Sequence, residues 1–222
     1  MYVISVLVSG KGTALDNLAF HCYDELEGIL RNFVTIGSVV ADRECEAIEI
    51  ADGWGIPNFV LKPDSEVYKV KNYDPHKLWS YDMMGEGDSM YGNRYNLWVM
   101  AGFLSKIYVH EEYEGRILNI HPSLLPKYGG DGMYGRKVHE AVKTSGDSVS
   151  GCTVHVVDNE YDHGEILAQE QISVLPWESV SQLEHAVKER EKLTYPRAIL
   201  NYLKQNDFPI GGNIKKKGID AK

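Results

Sequence analysis

The sequence predicts a single α/β domain, a mostly parallel central sheet flanked by helices. Three observations predict it. An uninterrupted β-branched run at 2–8 gives way to a glycine-containing turn and then to apolar residues at helical spacing. The same strand-then-helix order repeats before residue 61. Such alternation needs crossover connections, and these impose parallel pairing with helices on both faces.

Each element follows in order. Residues 2–8 (YVISVLV) read as a buried strand. Leu15, Leu18, Cys22, Leu26 and Ile29 predict a helix over about 13–30. Thr13 and Asp16 have the spacing of a capping box, with Asp in place of Glu. Residues 33–41 (FVTIGSVVA) form a second strand, Ala47, Ile48 and Ala51 mark a second helix, and 57–61 a third strand. The polar stretch 62–95, with Pro63, Pro75 and MMGEGDSMYGN, predicts a short helix near 75–84 and then a loop. Strands restart at 96–102 (NLWVMAG) and 116–121 (RILNIH), and a helix follows near 135–145. Residues 152–158 (CTVHVVD) and 164–174 (GEILAQEQISV) read as paired strands. A last helix opens near Glu178, with Val180, Leu183 and Val187 on one face. Pro196 lacks the donor for the helical ladder and should break or kink it. Residues 1–205 thus make one domain, followed by a basic tail over 206–222.

Composition narrows the function. At 222 residues, 43% hydrophobic and 25% charged, the chain can bury one sizeable core. Its net charge of −9 disfavours a broad nucleic-acid footprint but leaves room for a local basic pocket. The apolar runs are too short to span a bilayer. No basic leader precedes the first strand, so no signal peptide is expected. Cys22, Cys45 and Cys152 lie far apart and fit reduced thiols in a cytoplasmic protein better than a disulfide framework.

In an open α/β sheet, ligands bind beyond the carboxyl ends of the strands. Four polar segments stand there: Ser9–Thr13, Gly102–Ile107, Asn119–His121 and Asp158–Gly164. The first is a glycine turn before a helix, which suits an anion. Leu15 replaces the third glycine of a dinucleotide fingerprint, and no P-loop pattern is present. A single phosphate monoester fits better than a pyrophosphate, and a tight turn without ligand is the alternative. Asn119 and His121, two apart in a strand, share a face and can stabilise an oxyanion together. The alternative for His121 is a hydrogen-bonded structural histidine. Asp162 near His121 would raise the imidazole pKa and orient the ring; otherwise it is a turn aspartate. His121, His155 and His163 lack any metal-ligand spacing, so no metal is expected. Cys152 sits inside an apolar strand as an inert thiol, and no serine has a nucleophile elbow. Direct transfer between two bound substrates remains.

Together, VLVSGKGTALDNL (6–18), MAGFLSKI (100–107), RILNIHPSLLPKYGG (116–130), SGCTVHVVDNEYDHGEILAQ (150–169) and EREKLTYP (189–196) resemble the glycinamide ribonucleotide formyltransferases, a branch of the folate-dependent formyltransferases. NIHPSLLP is shared across 10-formyltetrahydrofolate-dependent transferases. The glycine turn, the SGCTVH strand and the Glu-x-x-x-Tyr-Pro ending point to this branch. The resemblance implies a Rossmann-like formyltransferase fold and transfer of a formyl group from 10-formyltetrahydrofolate to the amine of phosphoribosylglycinamide in purine synthesis. It implies Asn119, His121 and Asp162 as catalytic residues. Gly12, Thr13 and Ala14 match the phosphate segment, and Lys188 and Glu191 the rest of the ribonucleotide site. Leu104, Ser105, Lys106 and Ile107, with Asn119, Asn159, Glu160 and Tyr161, match the surroundings of the folate pterin.

Some positions depart from the family pattern. Lys11 and Ala14 stand where Asn is common, Ser105-Lys106 replaces a Met/Arg-type pair, and a loop two residues longer moves the usual loop histidine to His139. The resemblance implies small-molecule substrates, no membrane or nucleic-acid partner, and a monomer or homodimer. Two other functions compete: a sugar-nucleotide N-formyltransferase using the same donor, and a non-catalytic folate- or nucleotide-binding module.

Overall fold

A computed structural model describes residues 1–63 and 95–206. The strands are β1 (Tyr2–Val8), β2 (Val34–Ala41), β3 (Asn58–Val60), β4 (Leu97–Met100), β5 (Ile117–His121), β6 (Val149–Val156) and β7 (Ile166–Ser173). The α-helices are α1 (Thr13–Tyr23), α2 (Glu46–Gly53), α3 (Arg136–Ser145) and α4 (Val180–Gln205). The sheet order is β3-β2-β1-β4-β5-β6-β7. The first five strands run parallel, while β6 and β7 form an antiparallel hairpin on β5. The strand order reverses at β1, so β1 and β4 flank the switch point where such sheets bind ligands.

Burial on both faces explains the unbroken apolar reading of β1. Ile4, Val6 and Val8 pack with α1 and α4 on one face, and Leu7 packs with Trp98 and Tyr113 on the other. The Trp98 and Tyr113 rings meet edge to face at 5.0 Å.

Several boundaries differ from the sequence reading. The first helix stops at Tyr23, not near 30. Asp24 is extended, and its carboxylate accepts the N–H groups of Leu26 (3.0 Å) and Glu27 (2.8 Å). This local bonding offers the backbone an alternative to helix, and Leu26 is left exposed. The expected capping box is absent: Gly12 caps α1 without a side-chain bond, and Asp16 instead accepts from Trp54 Nε1 at 2.8 Å. Gly12 has φ +75°, and a Cβ there would lie 2.8 Å from Ala47 Cα, so turn and packing both demand glycine.

The sixth strand begins at Val149, three residues early, and ends at Val156. Gly151 disguised its start; a Cβ there would meet the Glu170 carbonyl on β7. The last helix opens at Val180 behind a Ser179–Gln182 capping box, not at Glu178. It is not broken at Pro196. The Lys192 carbonyl, which the proline cannot bond, accepts instead from Asn17 Nδ2 (2.8 Å) and lies 3.2 Å from His21 Nε2. The expected helix at 75–84 and the basic tail beyond Asn206 lie outside the described residues. No helix among the described residues is long and apolar enough to cross a membrane. Cys22, Cys45 and Cys152 are all free thiols.

Candidate active site

A cavity of about 480 Å³ opens beyond the carboxyl ends of β1, β4 and β5. All four polar segments singled out in the sequence contribute to its walls. Asn119, His121 and Asp162 stand together there. Its lining includes Gly12, Thr13 and Ala14 at the start of α1, Lys188 and Glu191 on α4, and Leu104, Ser105, Lys106, Ile107, Asn159, Glu160 and Tyr161 from the loops after β4 and β6.

The central cluster is built from β5 and the loop after β6. Asn119 and His121 are two apart in β5 and share a face, as their spacing predicts. Asp162 sits in a left-handed conformation (φ +52°), which aspartate tolerates better than most residues. His121 Nδ1 lies 3.3 Å from Asp162 Oδ2, which also accepts the Gly130 N–H at 3.0 Å. His121 Nε2 donates to the Tyr128 carbonyl at 2.7 Å. Both ring nitrogens thus face acceptors on the protein itself.

His155 extends the cluster. Antiparallel register sets it opposite Asn119. Its Nε2 lies 3.2 Å from Asn119 Nδ2 and 3.5 Å from Asp162 Oδ1, while Nδ1 faces the Val156 carbonyl at 2.9 Å. Sequence reasoning weighed His155 only as a metal ligand. Its link to Asn119 depends on the β5–β6 register, which no local pattern reveals. Among the described residues no group of His, Cys, Asp or Glu has an arrangement that could hold a metal ion.

The electrostatics revise one expectation. Burial pushes the His121 pKa down, and this outweighs the upward pull of Asp162 and the Tyr128 carbonyl. The carboxylate raises the ring pKa by its own contribution, but the net shift is downward. Burial also opposes ionisation of Asp162, yet His155, His121 and the Gly130 N–H together hold its pKa below the usual carboxylate range. A proton on Nδ1 would meet Asp162 directly.

The side walls differ in readiness. The turn at Gly12 opens α1, whose first N–H groups have no intrahelical partner and no side-chain cap. On α4, Lys188 Nζ bonds Glu184 at 2.6 Å. Burial raises the Glu191 pKa to about 7. Among the loop residues, Ser105 donates to the buried Asp42 carboxylate at 2.6 Å, and Asn159 bonds both the N–H and the carbonyl of Val109. These two side chains shape the wall and leave backbone and apolar groups to face a ligand. Lys106 Nζ rests 5.1 Å from the Tyr161 ring centroid. His139, buried on α3, also lines the cavity. Burial pushes the Cys152 thiol up to about 12, consistent with an inert packed cysteine.

The formyl transferase family profile matches residues 3–199. The phosphoribosylglycinamide formyltransferase, chloroplastic, of Arabidopsis thaliana is 35% identical over 198 residues, 88% of this chain and 63% of that protein. The Vigna unguiculata relative of the same name is 36% identical, with 59% of its length covered. The chain thus spans about three-fifths of these two plant relatives. The phosphoribosylglycinamide formyltransferase of Haemophilus influenzae is 31% identical over 202 residues, 90% of this chain and 86% of that protein. Among solved structures, glycinamide ribonucleotide transformylase 1 from Symbiobacterium toebii has a TM-score of 0.76 at 28% identity, covering 93% of this chain and 89% of that one. With a matching profile over nearly the whole described fold, the chain belongs to the formyl transferase family.

Proposed function

We propose that this protein transfers the formyl group of 10-formyltetrahydrofolate to the amine of phosphoribosylglycinamide. One observation supports it above the others. Asn119, His121 and Asp162 meet in a cavity whose lining joins a helix N-terminus and a lysine, which suit a phosphorylated sugar, to the loops around Leu104 and Ile107, which suit an apolar heterocycle.

The chemistry assigned to each residue follows from its position. The free N–H groups at the start of α1 bind the phosphate. Lys188 adds positive charge, and Glu191 receives the amine end. The wall around Leu104 and Ile107, with the backbone near Asn159–Tyr161, binds the pterin. As the amine nitrogen bonds to the formyl carbon, the carbonyl oxygen gains charge. Asn119 donates to it, a contribution of roughly 3–4 kcal/mol for one well-placed donor. His121 takes up the proton that the attacking amine releases and becomes a second source of positive charge beside that oxygen. To donate directly it must release the Tyr128 carbonyl or Asp162. Asp162 stabilises the imidazolium until the same proton passes to the folate nitrogen as its bond to the formyl carbon breaks. Holding both substrates in line supplies much of the remaining rate.

The reading includes a cytoplasmic protein with reduced thiols, acting on small molecules as a monomer or homodimer. The test is direct. The protein is incubated with 10-formyltetrahydrofolate and phosphoribosylglycinamide, or with amino-sugar nucleotides, and the folate absorbance is followed. Turnover only with the ribonucleotide supports the proposal. Turnover only with a sugar nucleotide, or with neither acceptor, refutes it.

A further inference from the structure

The proline inside α4 has a consequence for the site. In an unbroken helix the N–H of residue 196 would bond the carbonyl of Lys192, but Pro196 has no N–H. Asn17 and His21, one turn apart on α1, converge on that carbonyl. Asn17 is one turn beyond Thr13 at the anion-binding end of α1. Lys192 is one turn beyond Lys188 and adjacent to Glu191. The junction is thus one helical turn from Thr13 on α1 and next to Glu191 on α4, both of which line the main cavity.

A second cavity of about 300 Å³ lies between the same helices and shares Thr13, Ala14, Ile120, Lys188 and Glu191 with the first. Close by, the Tyr195 hydroxyl lies 2.9 and 3.0 Å from the Met100 and Leu118 carbonyls, which pins α4 to β4 and β5.

We propose that Pro196 is a positioning residue: by freeing the Lys192 carbonyl for Asn17 and His21, it clamps α1 to α4 and sets the width of the phosphate-to-amine cleft. The proposal rests on the ribonucleotide reading above. Pro196 lines neither cavity. Pro196→Ala supplies an intrahelical donor that competes with Asn17. Asn17→Leu removes the main clamp donor at similar volume.

The experiment compares wild type, both single variants and the double variant. Each single variant should raise KM for the ribonucleotide about 3- to 10-fold, the effect of losing one positioning hydrogen bond. The kcat and the folate KM should stay within twofold, and the double variant should be no worse than the poorer single. An unchanged ribonucleotide KM in Pro196→Ala, equal losses in folate KM and kcat, or multiplying KM effects overturn the clamp. Should Pro196→Ala not fold, Asn17→Leu alone decides by the same KM split.

Absence of wild-type turnover refutes the proposed acceptor rather than the clamp. The clamp is then read from melting temperatures. Asn17→Leu should lower Tm by about 1–5 °C beside Pro196 and by less beside Ala at 196. Equal losses in the two backgrounds overturn it.

Discussion

Replacing Asp162 by asparagine keeps the side-chain shape and removes its charge. In the native site the carboxylate faces His121 Nδ1 at 3.3 Å with little solvent contact. At an effective dielectric near 20, a unit charge at that distance interacts with an imidazolium by about 5 kcal/mol. Solvent and the neighbouring His155 reduce the net loss to roughly 2–4 kcal/mol, so kcat should fall about 30- to 1,000-fold. The Gly130 N–H can still bond the amide oxygen, so the loop should hold its shape. Both KM values should therefore change by less than about threefold. Steady-state kinetics on the folate absorbance change checks this. A kcat within threefold of wild type would refute the argument that the Asp162 charge stabilises His121 during transfer.

Other predictions follow from the same geometry. His121→Ala should lower kcat by about two to four orders of magnitude while calorimetry still detects folate binding. Thr13→Asp sets a negative charge at the uncapped start of α1 and should raise the ribonucleotide KM at least tenfold with little change in the folate KM. Glu191 has a folded pKa of about 7, above its unfolded value, so its contribution to stability is complete below pH 4.5 and is lost as pH rises through 7. Melting curves from pH 5 to 8.5 should show Glu191→Gln gaining on wild type by about 1–3 kcal/mol, or several degrees in Tm. His121 and Asp162 act oppositely: both folded pKa values are lowered, so the stability they contribute is present above their unfolded values and lost as pH falls.

What the sequence disclosed and what it hid divide along physical lines. The buried parallel strands were legible because burial on both faces demands continuous apolar runs, as in β1. The Asn119–His121 pair was legible because a strand alternates its side chains. Features set by contacts between distant segments were not. Nothing local to Pro196 announces that Asn17 and His21 will occupy the carbonyl it frees and so allow the helix to continue. His155 enters the site through a register with β5, and the end of α1 through a short-range competition at Asp24 that apolar periodicity ignores. The sign of the His121 shift depended on the balance of burial against one carboxylate, which spacing cannot supply.

The most direct test is a crystal structure with phosphoribosylglycinamide and a folate analogue that cannot release its acyl group. The account predicts the phosphate on the N–H groups after Gly12, and the amine and acyl carbon in line beside Asn119 and His121. The analogue's ring should lie against Leu104 and Ile107. Either ligand bound outside this cavity, or a reacting centre far from His121, would contradict it.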